Sequence, residues 1–215
     1  ISSSTPFKNI YVSYAPADLG NSMGAALYVN HVILNQKRHF NFNSSYLGPE
    51  FSNDEIEKIL KNNKISYEKL DKRNKILAKL LSEKNVIAVF KGKAEFGERA
   101  LGNRSILADP RDETMKDKIN SIIKYRDKYR PFAPSVIHEE SHKYFEVPKN
   151  YECFFMEKVI SVKESFRDKL PAITHIDGTA RLHTVKHEHN ENFYGLLNEF
   201  KKITSFPILL NTSFN

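Results

Sequence analysis

The residues best placed to do chemistry begin in the stretch from Val86 to Arg111, VIAVFKGKAEFGERALGNRSILADPR. It opens as a short apolar run, Val86 to Phe90, that reads as a buried strand, and then breaks at Gly92, Gly97 and Gly102. Lys91, Lys93, Arg99, Arg104 and Arg111 carry positive charge through the loop, which also holds Ser105. Glycine lets the main chain approach a ligand closely, and an arginine fork holds phosphate or carboxylate in two parallel hydrogen bonds. The pattern suits a nucleotide or another phosphorylated molecule; an ordinary solvated turn has the same composition. A second cluster follows in KYRDKYRPF, where Lys124, Arg126, Lys128 and Arg130 crowd the end of an amphipathic segment. Cations suit the negative end of a helix dipole, but four together repel one another, and an anion relieves that. The chain closes on an apolar run, Pro207 to Leu210, leading into Asn211-Thr212-Ser213. Amide and hydroxyl groups then sit at a strand tip, where α/β folds collect ligands.

These groups must be positioned by elements that the spacing also predicts. Ile10–Val12 reads as a strand. Asp18 and Gly20 precede a helix with Met23, Ala26, Leu27, Asn30 and Ile33 on one side, and Gly24, Ala25 and Ala26 would allow close packing there. Residues 36–50 read as a linker. A capping box, Ser52 with Glu55, starts a helix whose buried face is Ile56, Ile59 and Leu60. Asp71 caps a second helix over 71–83, with Ile76, Leu77, Leu80 and Leu81 inward. Asp112 caps a third, bearing Met115, Ile119, Ile122 and Ile123. Phe132–His138 and Tyr151–Val162 read as strands, with a short helix over Glu139–Phe145 between them. Ala172–Ile176 and Ala180–Val185 read as a hairpin turned by Asp177-Gly178. A last helix from Asn190 carries the stripe Phe193, Leu196, Leu197, Phe200 and Ile203, which is core.

Composition narrows the classes. The 215 residues are 40% hydrophobic and 12% aromatic, enough for a core, and no apolar run approaches a membrane span. The expectation is a protein without a signal peptide, in a reducing cytoplasm. The single cysteine, Cys153, excludes an internal disulfide and a cysteine-based metal cluster. His183, His187 and His189 lack tidy ligand spacing for zinc. The net charge of +7 points to anionic partners. Residues 86–135 hold eleven Lys and Arg against seven Asp and Glu, so much of that charge is local. Nucleic acid is the rival anion, but most aromatics fall in apolar stripes, leaving Tyr125 and Tyr129 as the candidates for base stacking.

The wording of the motifs goes further. EFG-x-RALGNRSILADPR resembles the C-terminal domain of the O-carbamoyltransferase family, as do SYLGPEFSNDEIEKIL (45–60), RPFAPSV (130–136), THIDGTARLHTV (174–185) and LLNTSFN (209–215). These enzymes place a carbamoyl group on a hydroxyl in antibiotics and nodulation factors. The resemblance implies an α/β fold: a YrdC-like mixed twisted sheet with flanking helices over residues 41–215. Residues 1–40 would be the strand–helix tail and linker of an ASKHA (kinase-like) domain. It implies ATP and Mg²⁺ as cofactors, carbamoyl phosphate and a hydroxyl-bearing small molecule or glycan as substrates, and formation of carbamoyl-adenylate for transfer in the ASKHA domain. Iron or a similar divalent metal would belong to that upstream domain.

Carried over by motif, Lys124, Arg130 and Arg99 are the catalytic candidates, and Arg181, Asn211, Ser213, Arg104 and Lys93 bind nucleotide or phosphate. Arg126 is a weaker candidate, and Lys128 is expected in solvent. Asp18 matches a metal ligand of the upstream domain; without the resemblance it reads as a helix cap or turn aspartate. Two departures stand out. Lys93 replaces the family's arginine and loses its fork, and Glu98 replaces a proline, setting an acid beside Arg99. A domain with a different anion, reduced activity or no catalysis is the alternative.

Overall fold

The computed structural model describes residues 5–7, 10–38 and 44–214. The expected domain boundary at residue 40 lies outside the described residues, as does Asn215. In chain order, α1 (Leu19–Tyr28) continues into a π-helical turn, Val29–Ile33, and neither buries a residue. The strand expected at Ile10–Val12 does not form. No described strand pairs with it, and Tyr11 is exposed. The chain dips inward just afterwards, where Tyr14 and Ala15 are buried. Nothing lies within 4 Å of a Cβ built on Gly24, so the small residues of α1 do not serve close packing here.

α2 (Asn53–Asn62) opens on the expected capping box, with Ser52 Oγ accepting from Glu55 N and Glu55 Oε2 accepting from Ser52 N at 2.7 Å. Its apolar face is not buried, and Ile59 is more than half exposed. α3 (Arg73–Ser82) is preceded by Lys72 rather than capped by Asp71, and it buries Ala78 and Leu81 while Ile76 and Leu80 face outward. Next come β1 (Ile87–Phe90), β2 (Arg104–Ala108) and α4 (Met115–Ile122). Asp112 takes its bonds from Thr114 N and Oγ1, one step ahead of the helix, whose cap position is Thr114. β3 (Ala133–Ile137), α5 (Ser141–Tyr144), β4 (Lys158–Ser161), α6 (Glu164–Arg167), β5 (Thr179–Val185), α7 (Glu191–Thr204) and β6 (Ile208–Thr212) complete the described chain.

The six strands form one mixed sheet in the order β1-β2-β6-β3-β5-β4, antiparallel except for β3 and β5. Strand side chains alternate between faces. Leu209 of β6 joins Leu107, Ile137 and Val185 beneath α3 and α7, while Ile208 and Leu210 join Met115, Ile119, Phe145 and Leu182 on the other face. α7 is capped by Asn190, whose Oδ1 accepts from Phe193 N, and ends at Ser205 in the left-handed region. Its stripe is buried through Phe200, but Ile203 is 53% exposed. At 3.6 residues per turn, Ile203 lies about 80° from Phe193 and about 20° beyond Leu196, at the edge of the stripe.

Two strand expectations are corrected. Only Lys158–Ser161 of the run 151–162 is strand. The preceding chain is tied to β5 by Cys153 N donating to Thr184 Oγ1 and Thr184 N donating to Cys153 O, and it kinks at Met156, φ 56°. Ala172–Ile176 forms turns instead of a hairpin arm, because β5 is already flanked by β3 and β4 and has no free edge.

Two glycines are required by conformation. Gly97 has φ 136° and Gly102 has φ 112°. A Cβ on the first would collide with the Tyr14 carbonyl, and on the second with the Phe193 ring. Gly102→Ala therefore combines strain with overpacking and is expected to lower stability by on the order of 2–3 kcal/mol. Gly24→Ala, in open space, should leave it unchanged or higher. Urea unfolding of the two variants checks this.

Candidate anion-binding site

A cavity of about 260 Å³ opens where four separate segments meet. Arg99 comes from the β1–β2 loop, Arg126 and Arg130 from the segment between α4 and β3, Arg181 from β5, and Asn211, Thr212 and Ser213 from the end of β6. The central strand of the sheet thus ends in the cavity, with cations on three sides.

The loop that carries Arg99 is shaped by Glu95. Its Oε1 accepts from the backbone N–H groups of Leu101, Asn103 and Arg104 at 2.7, 2.8 and 3.2 Å. The segment after α4 is shaped by Asn120, which is fully buried. Its Nδ2 donates to the carbonyls of Lys128 and Arg130, and its Oδ1 accepts from Arg126 Nε at 2.7 Å. The Arg126 guanidinium also lies over the Phe132 ring, 4.9 Å from its centroid. Lys124 Nζ donates to the Ser213 carbonyl and, at 3.2 Å, contacts Ser213 Oγ. At the β6 end, Asn211 Nδ2 donates to Ala100 O and to Ser135 Oγ, both at 3.0 Å.

The electrostatics match a site awaiting negative charge. Burial, then Arg126, pulls the Lys124 ammonium down to about 8. Burial and Arg130 lower Arg126; burial and Arg99 lower Arg181, opposed by Glu98. Glu98, the one acid among the lining residues, sits 3.9 Å from Arg99 with both side chains about 40% exposed. His175 also lines the cavity, with Nδ1 3.0 Å from Thr179 Oγ1 and its pKa lowered chiefly by burial.

Of the residues expected from the sequence, Arg99, Arg130, Arg181, Asn211 and Ser213 line this cavity, and Lys124 reaches its edge through Ser213. Arg126 joins them more fully than its weaker standing suggested. Lys128 is exposed and 3.5 Å from Asp117. Arg104 and Lys93 are not brought to this cavity. Arg104 donates to the carbonyls of Pro49, Lys91, Gly92 and Asn103 and stacks 3.7 Å from the Phe90 ring centroid. Lys93 lines a separate open groove beside Lys91 and Arg73. Arg111 is paired with buried Asp109 at 2.6 Å, and Ser105 Oγ accepts from Gly102 N. Asp18 is exposed at the cap position of α1 and makes no side-chain cap bond. Among the described residues no three His, Cys, Asp or Glu side chains gather as a metal site. Glu95, Asn120, His175 and the Ser135–Asn211 contact were not anticipated; their roles come from contacts distant in sequence, which leave no periodic signal.

A family model described as "Carbamoyltransferase C-terminus" matches residues 78–215. The nodulation protein NolNO of Sinorhizobium fredii is 44% identical over 213 residues, covering 97% of this chain and 31% of its own length. The nodulation protein NolO of Bradyrhizobium diazoefficiens is 41% identical, covering 97% and 39%. An uncharacterized protein of Methanocaldococcus jannaschii is 45% identical, covering 98% and 35%. The chain spans about a third of the length of these curated relatives. No described helix is long and apolar enough to cross a membrane.

The Lys124 value sets a pH dependence. Its charge is lost as pH rises through about 8, so a simple anion such as inorganic phosphate should bind more weakly at pH 9 than at pH 7. Because the folded pKa lies below the unfolded one, the unfolded chain holds more protons between them, and this group's contribution to stability rises with pH across that window. Lys124→Met should flatten the binding profile while leaving the melting temperature at pH 7 equal or higher; calorimetric titration and thermal melts read both.

Proposed function

The chain belongs to the carbamoyltransferase C-terminal family, and from that premise we propose that it is the part of an ATP-dependent O-carbamoyltransferase that binds ATP and carbamoyl phosphate and forms carbamoyl-adenylate. The observation that supports this reading is the meeting of Arg99, Arg126, Arg130 and Arg181 from distant segments at one strand end. Core packing needs none of these charges, and gathering them costs energy unless an anion arrives.

The chemistry asks little covalent help of the protein. Water takes the phosphoryl group of carbamoyl phosphate and leaves carbamate. A carbamate oxygen attacks the α-phosphorus of ATP, and pyrophosphate departs with its electron pair. An acceptor hydroxyl later attacks the carbamoyl carbon and releases AMP. Alignment and stabilisation of charge on phosphoryl oxygens carry such steps. In this reading Lys124, Arg99 and Arg130 act on the reacting phosphoryl group, Arg181 holds a neighbouring phosphate, and Asn211 and Ser213 orient the ligand. Lys93 and Arg104 have no part, because they lie outside the cavity. A lone acid, Glu98, does not suit a resident metal ion; Mg²⁺ arrives as part of the nucleotide substrate. Final transfer to a glycan or small-molecule hydroxyl is assigned to sequence beyond this chain, the ASKHA-like domain of the same polypeptide.

One observation favours a second reading as a nucleic-acid binder. Tyr125 and Tyr129 are 85% and 67% exposed beside the cation cluster. That reading demands binding to random RNA with a steep salt dependence, whereas the enzyme reading demands saturable ATP binding that RNA does not displace.

Arg130→Ala and Arg181→Ala should each weaken ATP binding by roughly 1.5–3 kcal/mol, the value of a charge-assisted hydrogen bond, with an equal or higher melting temperature because a like charge is removed. Arg104→Ala should do the reverse, since its carbonyl partners are structural. Calorimetry with ATP on the three variants decides, and unchanged affinity in both cavity variants would sink the assignment.

A further inference from the structure

The cations of the cavity donate hydrogen bonds and accept none. They hold a phosphate whatever else the ligand carries. Asn211 is different in kind. It is 1% exposed and lines the cavity, and both protons of its Nδ2 are given away, to Ala100 O and Ser135 Oγ. Its Oδ1 is buried with no partner among the described residues. Ser135 Oγ, having accepted from Asn211, has its own proton to donate, and His183 Nδ1 lies 2.8 Å away. His183 is neutral, because burial, with His189 adding to it, pulls its pKa down to about 3. A neutral ring has one acceptor nitrogen, and Nδ1 is that nitrogen where Ser135 Oγ–H donates to it. Turning the Asn211 amide over would set Oδ1 against the Ala100 carbonyl, acceptor against acceptor. The relay from Asn211 through Ser135 to His183 thus leaves the amide oxygen as the uncommitted end.

We propose that Ser135 and His183 are positioning residues that hold the Asn211 amide oxygen as the acceptor for an N–H group of the ligand, selecting the amino group of a carbamoyl substrate over the methyl group of an acetyl one. This rests on the reading of the cavity as the carbamoyl-phosphate site. Carbamoyl phosphate and acetyl phosphate have the same charge and nearly the same shape, so arginines do not tell them apart. A buried acceptor does, because the analogue without the donor leaves it unpaired.

The test is calorimetric titration of the 215-residue chain with carbamoyl phosphate, acetyl phosphate and inorganic phosphate. The wild type should prefer carbamoyl over acetyl phosphate by about tenfold. Ser135→Ala should shrink that preference to under about threefold while phosphate affinity holds, since it removes one of the two hydrogen bonds that hold the Asn211 amide. His183→Asn, which keeps an acceptor near Nδ1, should retain it. The side-chain amide resonances of Asn211 should shift in Ser135→Ala, a signature that altered packing elsewhere would not give. Failure of all three anions to bind would overturn the reading of the site and this proposal with it. Phosphate binding with equal carbamoyl and acetyl affinities in the wild type would overturn this proposal alone, without any variant needing to fold. A preference that survives in Ser135→Ala would remove the positioning role. A Ser135-dependent preference for ATP over inosine triphosphate, with none for the carbamoyl group, would assign the oxygen to adenine instead and overturn it.

Discussion

Three backbone N–H groups of one loop converge on a single carboxylate oxygen, Glu95 Oε1, and the geometry of the site depends on that convergence. The chain from Lys91 to Asn103 joins two antiparallel neighbours, β1 and β2, and is far longer than their turn requires. Amides left unpaired in a loop that packs on the core would cost more than the loop could recover. Glu95 pairs them, and Arg104 closes the base of the loop by donating to carbonyls on both of its arms. What remains is the tip from Gly97 to Ala100. It is pinned on one side where Gly97 meets the Tyr14 carbonyl and on the other where Asn211 donates to Ala100 O. Arg99 projects from this braced tip, next to the end of β6.

The same logic governs the second cation segment. Asn120 binds two carbonyls and one guanidinium nitrogen of the segment from Arg126 to Arg130, so a neutral amide orders it. An internal aspartate could accept from Arg126 but has no N–H to give the two carbonyls, and its charge would neutralise the cluster. Phe132 and Ser213 are likewise neutral partners for Arg126 and Lys124. The site is therefore organised without being quenched. The lowered pKa values of Lys124, Arg126 and Arg181 register that arrangement, since each cation is partly desolvated and faces another. Glu98 is the exception. At 3.9 Å from Arg99, and with both side chains well exposed, its field is screened.

Much of this was legible in the sequence because it is local. The capping box of α2, the strand β1 and the stripe of α7 each follow from residues a few positions apart, although β1, expected to be buried, is a sheet edge that buries none of its residues. The hairpin expected around Asp177-Gly178 failed for a non-local reason. Thr179–Val185 is an interior strand whose neighbours come from residues 133–137 and 158–161, so the chain before the turn has no edge to occupy. The face of α2 failed similarly: its spacing is amphipathic, but whether a face is covered depends on what lies opposite. The convergence of Arg99, Arg130, Arg181 and Asn211 was expected from motif resemblance rather than from periodicity. The groups that brace them, Glu95 and Asn120, carry no such signal, because an acid in a basic loop and an asparagine in a helix look like ordinary surface until their partners are known.

The three arginines of the stretch from Val86 to Arg111 show what separates a binding group from a structural one. In sequence they are equivalent, each near a glycine or a turn. In the fold, Arg104 has four carbonyl acceptors and an aromatic face, and Arg111 has both oxygens of a buried carboxylate. A guanidinium has five donors, and once they are occupied by partners that never leave, an incoming anion must break existing bonds to compete. Among the described residues the partner of Arg99 is a distant, exposed acid, Glu98. A phosphate that reaches Arg99 has only that screened contact to displace. The rule is one of saturation: among like residues of one motif, the one whose hydrogen-bonding capacity the protein leaves unused is the one available to a substrate. By that rule the same stretch both builds its loop and arms it, with Arg104 and Arg111 holding the chain in place so that Arg99 can be left open.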